Sequence, residues 1–123
     1  MNKDISALVV EDDTNIREII VGLLEERKIN VLSADDPGKA CDLIKSHNPA
    51  LLICDTELGN PSGNKYGVQV AEFYKKHNPQ GIIIGMSSEE SYKSFWEGKC
   101  NAFHKKDYLL RNINLILEQY FKD

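Results

Sequence analysis

The stretch Lys45-Ser46-His47-Asn48-Pro49-Ala50-Leu51-Leu52-Ile53-Cys54-Asp55 reads as the end of one element and the whole of the next. Cations stand in what would be a last helical turn, asparagine suits a C-terminal cap, and proline stops the helix. Ala50 to Cys54 is then apolar throughout, and Asp55 closes the run. A second copy of the same grammar follows: Lys75-Lys76-His77-Asn78-Pro79, then the apolar run Gly81 to Met86. Each copy marks a helix-to-strand junction. A strand with no polar alternation is covered on both faces, as in parallel sheets.

Working outward, three further strand-like runs appear at Ala7 to Val10, Asn30 to Ser33 and Ala102 to Lys105. Amphipathic stretches separate them. In Asn15 to Glu26, the residues Ile16, Ile19, Ile20, Leu23 and Leu24 share one helical face. Asp13, Thr14 and Asn15 are candidate caps, and Asn15 with Glu18 has the spacing of a capping box. Asp36-Pro37 caps and starts a second helix running to about His47. Val68 to Lys76, with Val70, Phe73 and Tyr74, supplies a third, and Ser88 to Lys99 a fourth, which looks short. Asp107 is read as the cap of a last helix with Leu110, Ile113, Leu117 and Tyr120 or Phe121 inward. The order βαβαβαβαβα predicts an open parallel α/β sheet. One connection, Asp55 to Gly67, is long and rich in Gly, Asn, Pro and Ser, which marks it as a candidate functional element.

Composition narrows the function. A chain of 123 residues suits one domain, taken as residues 1–123. A net charge of −4 with no lysine/arginine stripe argues against direct nucleic-acid binding. The apolar runs are too short to span a bilayer. Met1-Asn2-Lys3-Asp4 leads directly into the first run without the apolar region of a signal peptide, so the expected location is cytoplasmic. Cys41, Cys54 and Cys100 form no C-x-x-C pair and are read as reduced thiols packed as small apolar groups. His47, His77 and His104 share no helical turn, which argues against zinc.

In doubly wound sheets, ligands sit beyond the carboxyl ends of the strands. The first strand ends in Glu11-Asp12-Asp13, the third in Asp55, the fourth in Ser87-Ser88 and the fifth in His104-Lys105-Lys106. Clustered carboxylates raise one another's pKa, and a hard divalent cation relieves that strain. Mg²⁺ favours a few carboxylates with waters and phosphate oxygens. Such an ion with a lysine can neutralise charge on a phosphoryl group, Asp55 can attack phosphorus, and Ser87 can donate to a phosphoryl oxygen. Each residue also has a plainer reading. Acids favour a helix N-terminus, aspartate starts turns, serines cap helices, paired lysines face solvent, and Phe103 fills core. The set gives the functional reading its weight.

The same residues resemble a known family. Leu8-Val9-Val10-Glu11-Asp12-Asp13 with Ile16-Arg17, Leu51 to Asp55, Met86-Ser87-Ser88, and Asn101 to Lys106 together resemble the receiver domains of two-component response regulators, the CheY-like superfamily. The resemblance implies a (βα)5 flavodoxin-like fold with strand order 2-1-3-4-5. It implies Asp55 as phosphorylation site, with Mg²⁺ held by Asp12 directly, Glu11 largely through water, Asp55, and the backbone carbonyl of Glu57. It further implies Ser87 as hydroxyl switch, Phe103 as the aromatic that changes rotamer, and Lys106 as active-site lysine. Lys105 competes for that last role, since neighbouring strand residues point to opposite faces.

The chain departs from the family at several positions. Gly59 stands where proline is usual, and the loop before Gly67 is longer by about four residues, judged from family spacing. Asp107 follows the lysine where a proline, often after a cis bond, is expected, so that turn is either rebuilt or strained.

The implied partners are a histidine kinase or phosphotransfer protein as donor, and a downstream protein meeting the face of the fourth helix, fifth strand and fifth helix. The domain would also assist its own dephosphorylation. With no effector domain in the sequence, output by protein contact is expected, unless the chain is a fragment of a longer regulator. The rival expectation is a pseudo-receiver, a phosphorylation-independent interaction module, which Glu57 and the long loop favour. A small flavodoxin-like nucleotide or flavin binder is disfavoured, because acids after the first strand repel phosphate unless a cation intervenes.

Overall fold

The computed structural model describes residues 5–121. Met1 to Asp4, read above as the lead-in to the first strand, lie outside the described residues. Five strands, β1 (Ser6–Val10), β2 (Asn30–Ala34), β3 (Leu51–Asp55), β4 (Ile82–Ser87) and β5 (Ala102–Lys105), form one parallel sheet in the order β2-β1-β3-β4-β5. Four α-helices, α1 (Thr14–Glu26), α2 (Pro37–His47), α3 (Tyr66–His77) and α4 (Lys106–Glu118), and one 3₁₀ segment, Glu90–Trp96, connect them. Among the described residues no helix is long and apolar enough to cross a membrane.

Strand alternation explains the two layers. Leu8, Val10, Leu52 and Cys54 face α2, α3 and Trp96. Ala7, Val9, Leu51 and Ile53 face α1 and α4. Both faces of β1 and β3 are therefore buried, which is why neither strand shows a polar alternation. Burial of each large aliphatic side chain contributes roughly 1.5–3 kcal/mol. The chain reverses its winding between β1 and β3, and that crevice is where a doubly wound sheet binds ligands.

Gly67 and Gly85 are among the glycines that close approach requires. A Cβ on Gly67 would lie 1.6 Å from the Asp55 carbonyl oxygen, so α3 can dock on β3 only with glycine in its first turn. A Cβ on Gly85 would meet the Trp96 indole at 2.5 Å.

Several local expectations change. Ser88 to Lys99 forms no α-helix: the 3₁₀ segment takes its place, with Trp96 as its buried residue. The indole Nε1 donates to Thr56 Oγ1 at 2.8 Å, and Thr56 Oγ1 donates to the Met86 carbonyl at 2.8 Å. That buried chain ties the segment to the sheet by one residue rather than by a periodic stripe. Asp13 caps α1, accepting from Ile16 N–H, so Asn15 lies inside the helix and forms no capping box. Asn48 caps α2 in the left-handed conformation (φ 46°), whereas Asn78 caps α3 at negative φ (−139°). Lys106 begins α4 directly after β5, with Asp107 in its first turn rather than at its cap. Lys106 and Asp107 both lie within α4, so that turn is rebuilt as helix. Leu109, Ile113, Ile116 and Leu117 are buried, and Leu110, Tyr120 and Phe121 pack part-buried against the same cluster, so the expected stripe holds and Leu109 joins it.

Candidate functional site

Three strand ends and one helix start converge. Glu11 continues β1 by donating its N–H to Ala34 O at 3.1 Å, and the Arg17 guanidinium donates to the Glu11 carbonyl at 2.8 Å. These bonds turn the Glu11 side chain inward, where it is fully buried. Asp12 and Asp13 remain exposed, and Asp13 is spent on capping α1. Asp55, 5% exposed at the end of β3, accepts from Thr56 N–H through Oδ1 at 2.8 Å. Lys106 reaches back from α4, its Nζ 2.8 Å from Glu11 Oε1 and 3.0 Å from Asp55 Oδ2. Lys105, one residue earlier in β5, is exposed. Ser87 is buried at the end of β4, and its Oγ accepts from Glu89 N–H at 3.0 Å. Glu11, Asp55, Ser87 and Lys106 line a cavity of about 350 Å³ that also takes in Asp12, Glu57 and Tyr92. Phe103 lies outside it, half-buried against the sheet face that holds Trp96.

The electrostatics follow from crowding. Burial, and then the neighbouring Asp55 charge, push Glu11 up to about 8, against the pull of Lys106. Burial also raises Asp55, with Lys106 again opposing. Burial disfavours the Lys106 ammonium, but the Glu11 and Asp55 carboxylates outweigh it and raise its pKa. The site is thus short of positive charge. Glu11, Asp12 and Asp55 each bring a carboxylate oxygen within 4.8 Å of the other two. Glu11 Oε1 is buried and, apart from its ion pair with Lys106, takes no hydrogen bond. Three hard oxygen donors around an under-neutralised pocket suit Mg²⁺.

Three features escaped the sequence reading. Tyr92 lines the cavity, its hydroxyl 3.5 Å from Glu57 Oε1. The Thr56–Trp96 bond joins residues far apart in sequence and left no local signal. Asn64 organises the long loop, and only its place in a Gly/Asn/Pro-rich connection hinted at it.

A doubly wound sheet whose switch-point edge gathers three carboxylates, a hydroxyl and a lysine defines an acid-pocket domain of the α/β class. The chain belongs to the response regulator receiver domain family, whose model matches residues 7–115. It is thereby placed in two-component signal transduction. Among solved structures it is similar to the response regulator TrrA of Thermotoga maritima in complex with Mg²⁺-BeF, at 24% identity and TM-score 0.82, covering 95% of this chain and 99% of that one. It is also similar to the receiver domain of NtrX from Brucella abortus, at 23% identity and TM-score 0.78, covering 92% and 95% of the two chains. A response regulator from Chloroflexus aurantiacus aligns at 21% identity and TM-score 0.77, covering 93% and 94%. In another NtrX structure the match spans only 26% of that chain. A search of curated proteins returned no match.

Proposed function

We propose that this domain accepts a phosphoryl group on Asp55 from a phosphohistidine of a histidine kinase or phosphotransfer protein. The observation that carries the reading is the joint placement of Lys106 against both Asp55 and Glu11 at the winding switch point. A carboxylate oxygen of Asp55 forms the new bond to phosphorus, the phosphorus–nitrogen bond of the donor breaks, and its electron pair stays on the imidazole. Glu11, Asp12, Asp55 and the Glu57 carbonyl would hold Mg²⁺, which when bound supplies positive charge to the phosphoryl oxygens. Lys106, placed against Asp55, would supply a second positive charge.

Ser87 gives up Glu89 N–H to donate to a phosphoryl oxygen, which loosens the start of the 3₁₀ segment. Phe103 then follows into the vacated space. That exchange biases a two-state equilibrium of the face formed by the 3₁₀ segment, β5 and α4. Phe95 (44% exposed) and Tyr108 (45% exposed) lie on its elements, so a downstream protein is the partner this face suits.

The test is incubation with Mg²⁺ and acetyl phosphate, followed by intact-mass measurement. One added phosphoryl group that needs Mg²⁺ and is absent in Asp55→Asn supports the proposal. A second reading, the pseudo-receiver, draws on Glu57 lining the same cavity, where its charge opposes an incoming phosphoryl group. It gives no Mg²⁺-dependent adduct in that experiment.

A further inference from the structure

The connection from β3 to α3 is built around one side chain. Asn64 Oδ1 accepts from the N–H groups of Leu58 at 3.0 Å and Tyr66 at 3.1 Å. Its Nδ2 donates to the carbonyls of Leu58 at 3.2 Å, Gly59 at 3.1 Å and Pro61 at 2.8 Å. An amide is the side-chain group that can satisfy acceptors and donors on both sides of a loop at once; a carboxylate cannot donate and an ammonium cannot accept. Leu58, 2% exposed, roots the same loop in the core.

The outcome is one N–H aimed at the site. Gly59, held in the left-handed conformation (φ 67°), donates to Asp12 Oδ2 at 3.0 Å across 47 positions of sequence. Asp12 is an exposed carboxylate just past the end of β1. The bond takes one of its oxygens and fixes its rotation, leaving the second oxygen for a cation. Bonds of this kind to a metal-ligating carboxylate typically contribute 10–100-fold to metal affinity.

We propose that Asn64 is a positioning residue for the divalent-cation site: it holds the β3–α3 loop so that Gly59 N–H orients Asp12 for the ion. The inference rests on the reading of Glu11, Asp12 and Asp55 as the cation site. Asn64 acts only through Gly59 and Asp12.

Titration of Mg²⁺ into the intact chain by isothermal calorimetry tests this. Asn64→Ala is expected to weaken Mg²⁺ binding about tenfold. Asn64→Asp keeps both accepting contacts and loses the three donated ones. It covers the case in which the alanine variant does not fold, and is expected to weaken binding despite its added negative charge. In an Asp12→Asn background, Asn64→Ala is expected to change the residual affinity less than about twofold, because the carboxylate it orients is gone. Affinity unchanged in the folded Asn64 variants, or an equal loss with and without the Asp12 carboxylate, overturns the proposal. A wild-type chain that takes up no Mg²⁺ removes the cation site itself, a separate failure that the first titration reveals.

Discussion

Raising the pH over the metal-free protein destabilises it, and Mg²⁺ cancels the effect. Glu11 titrates near 8 in the fold against an ordinary value of 4.5, so between those values the folded chain holds a proton that the unfolded chain has lost. Stability is then greatest at the acid end of that window and falls as pH rises toward 8. The slope for one proton is about 1.4 kcal/mol per pH unit. For a domain of this size that is a fall in Tm of about 5 °C per unit. Asp55, also raised by burial, acts with the same sign as pH climbs from its ordinary 3.8. Lys106, raised from 10.5, loses its contribution only above this range. Urea melts with a chelator from pH 5.5 to 8 measure the slope. Saturating Mg²⁺, which takes the place of the proton, is expected to flatten it, so the gain from Mg²⁺ grows with pH. Glu11→Gln, which has no proton to lose, is expected to flatten the metal-free slope on its own. An equal slope in Glu11→Gln and wild type refutes the reasoning.

Thr56→Val leaves the Trp96 indole N–H buried without its acceptor, while the Met86 carbonyl keeps the Thr56 backbone N–H, and is expected to cost about 1–3 kcal/mol in urea unfolding. The emission of Trp96, the one tryptophan of the chain, should shift in the folded variant. Gly67→Ala drives a methyl group into the Asp55 carbonyl, and is expected to cost more than about 3 kcal/mol or to prevent folding, as read by circular dichroism.

Parts of this molecule could be read from sequence because the physics was local. The Lys-x-His-Asn-Pro junctions carry cap, dipole and stop together, and they fix where β3 and β4 begin. Acids at the ends of β1 and β3 converge because parallel strands share a carboxyl edge. Other parts were decided at a distance. Tyr92 and Phe95 have a spacing that suits an α-helix and a 3₁₀ helix alike, and the bond from Trp96 to Thr56 sets the geometry. Strand alternation left Lys105 and Lys106 interchangeable. The pairing of Ser87 with Lys105 and the start of α4 at the next residue turn Lys106 toward Asp55. That same start buries Leu109 more deeply than Leu110, though both pack on the core. Asn64 gave no periodic signal, because its partners are backbone groups of an irregular loop.

The most direct test is to find where phosphorus goes. Borohydride reduces an acyl phosphate to the alcohol, so the chain treated with acetyl phosphate and Mg²⁺ is trapped, digested and mapped by mass spectrometry. The account predicts homoserine at position 55. Modification at Glu57 or elsewhere, with Asp55 intact, contradicts it.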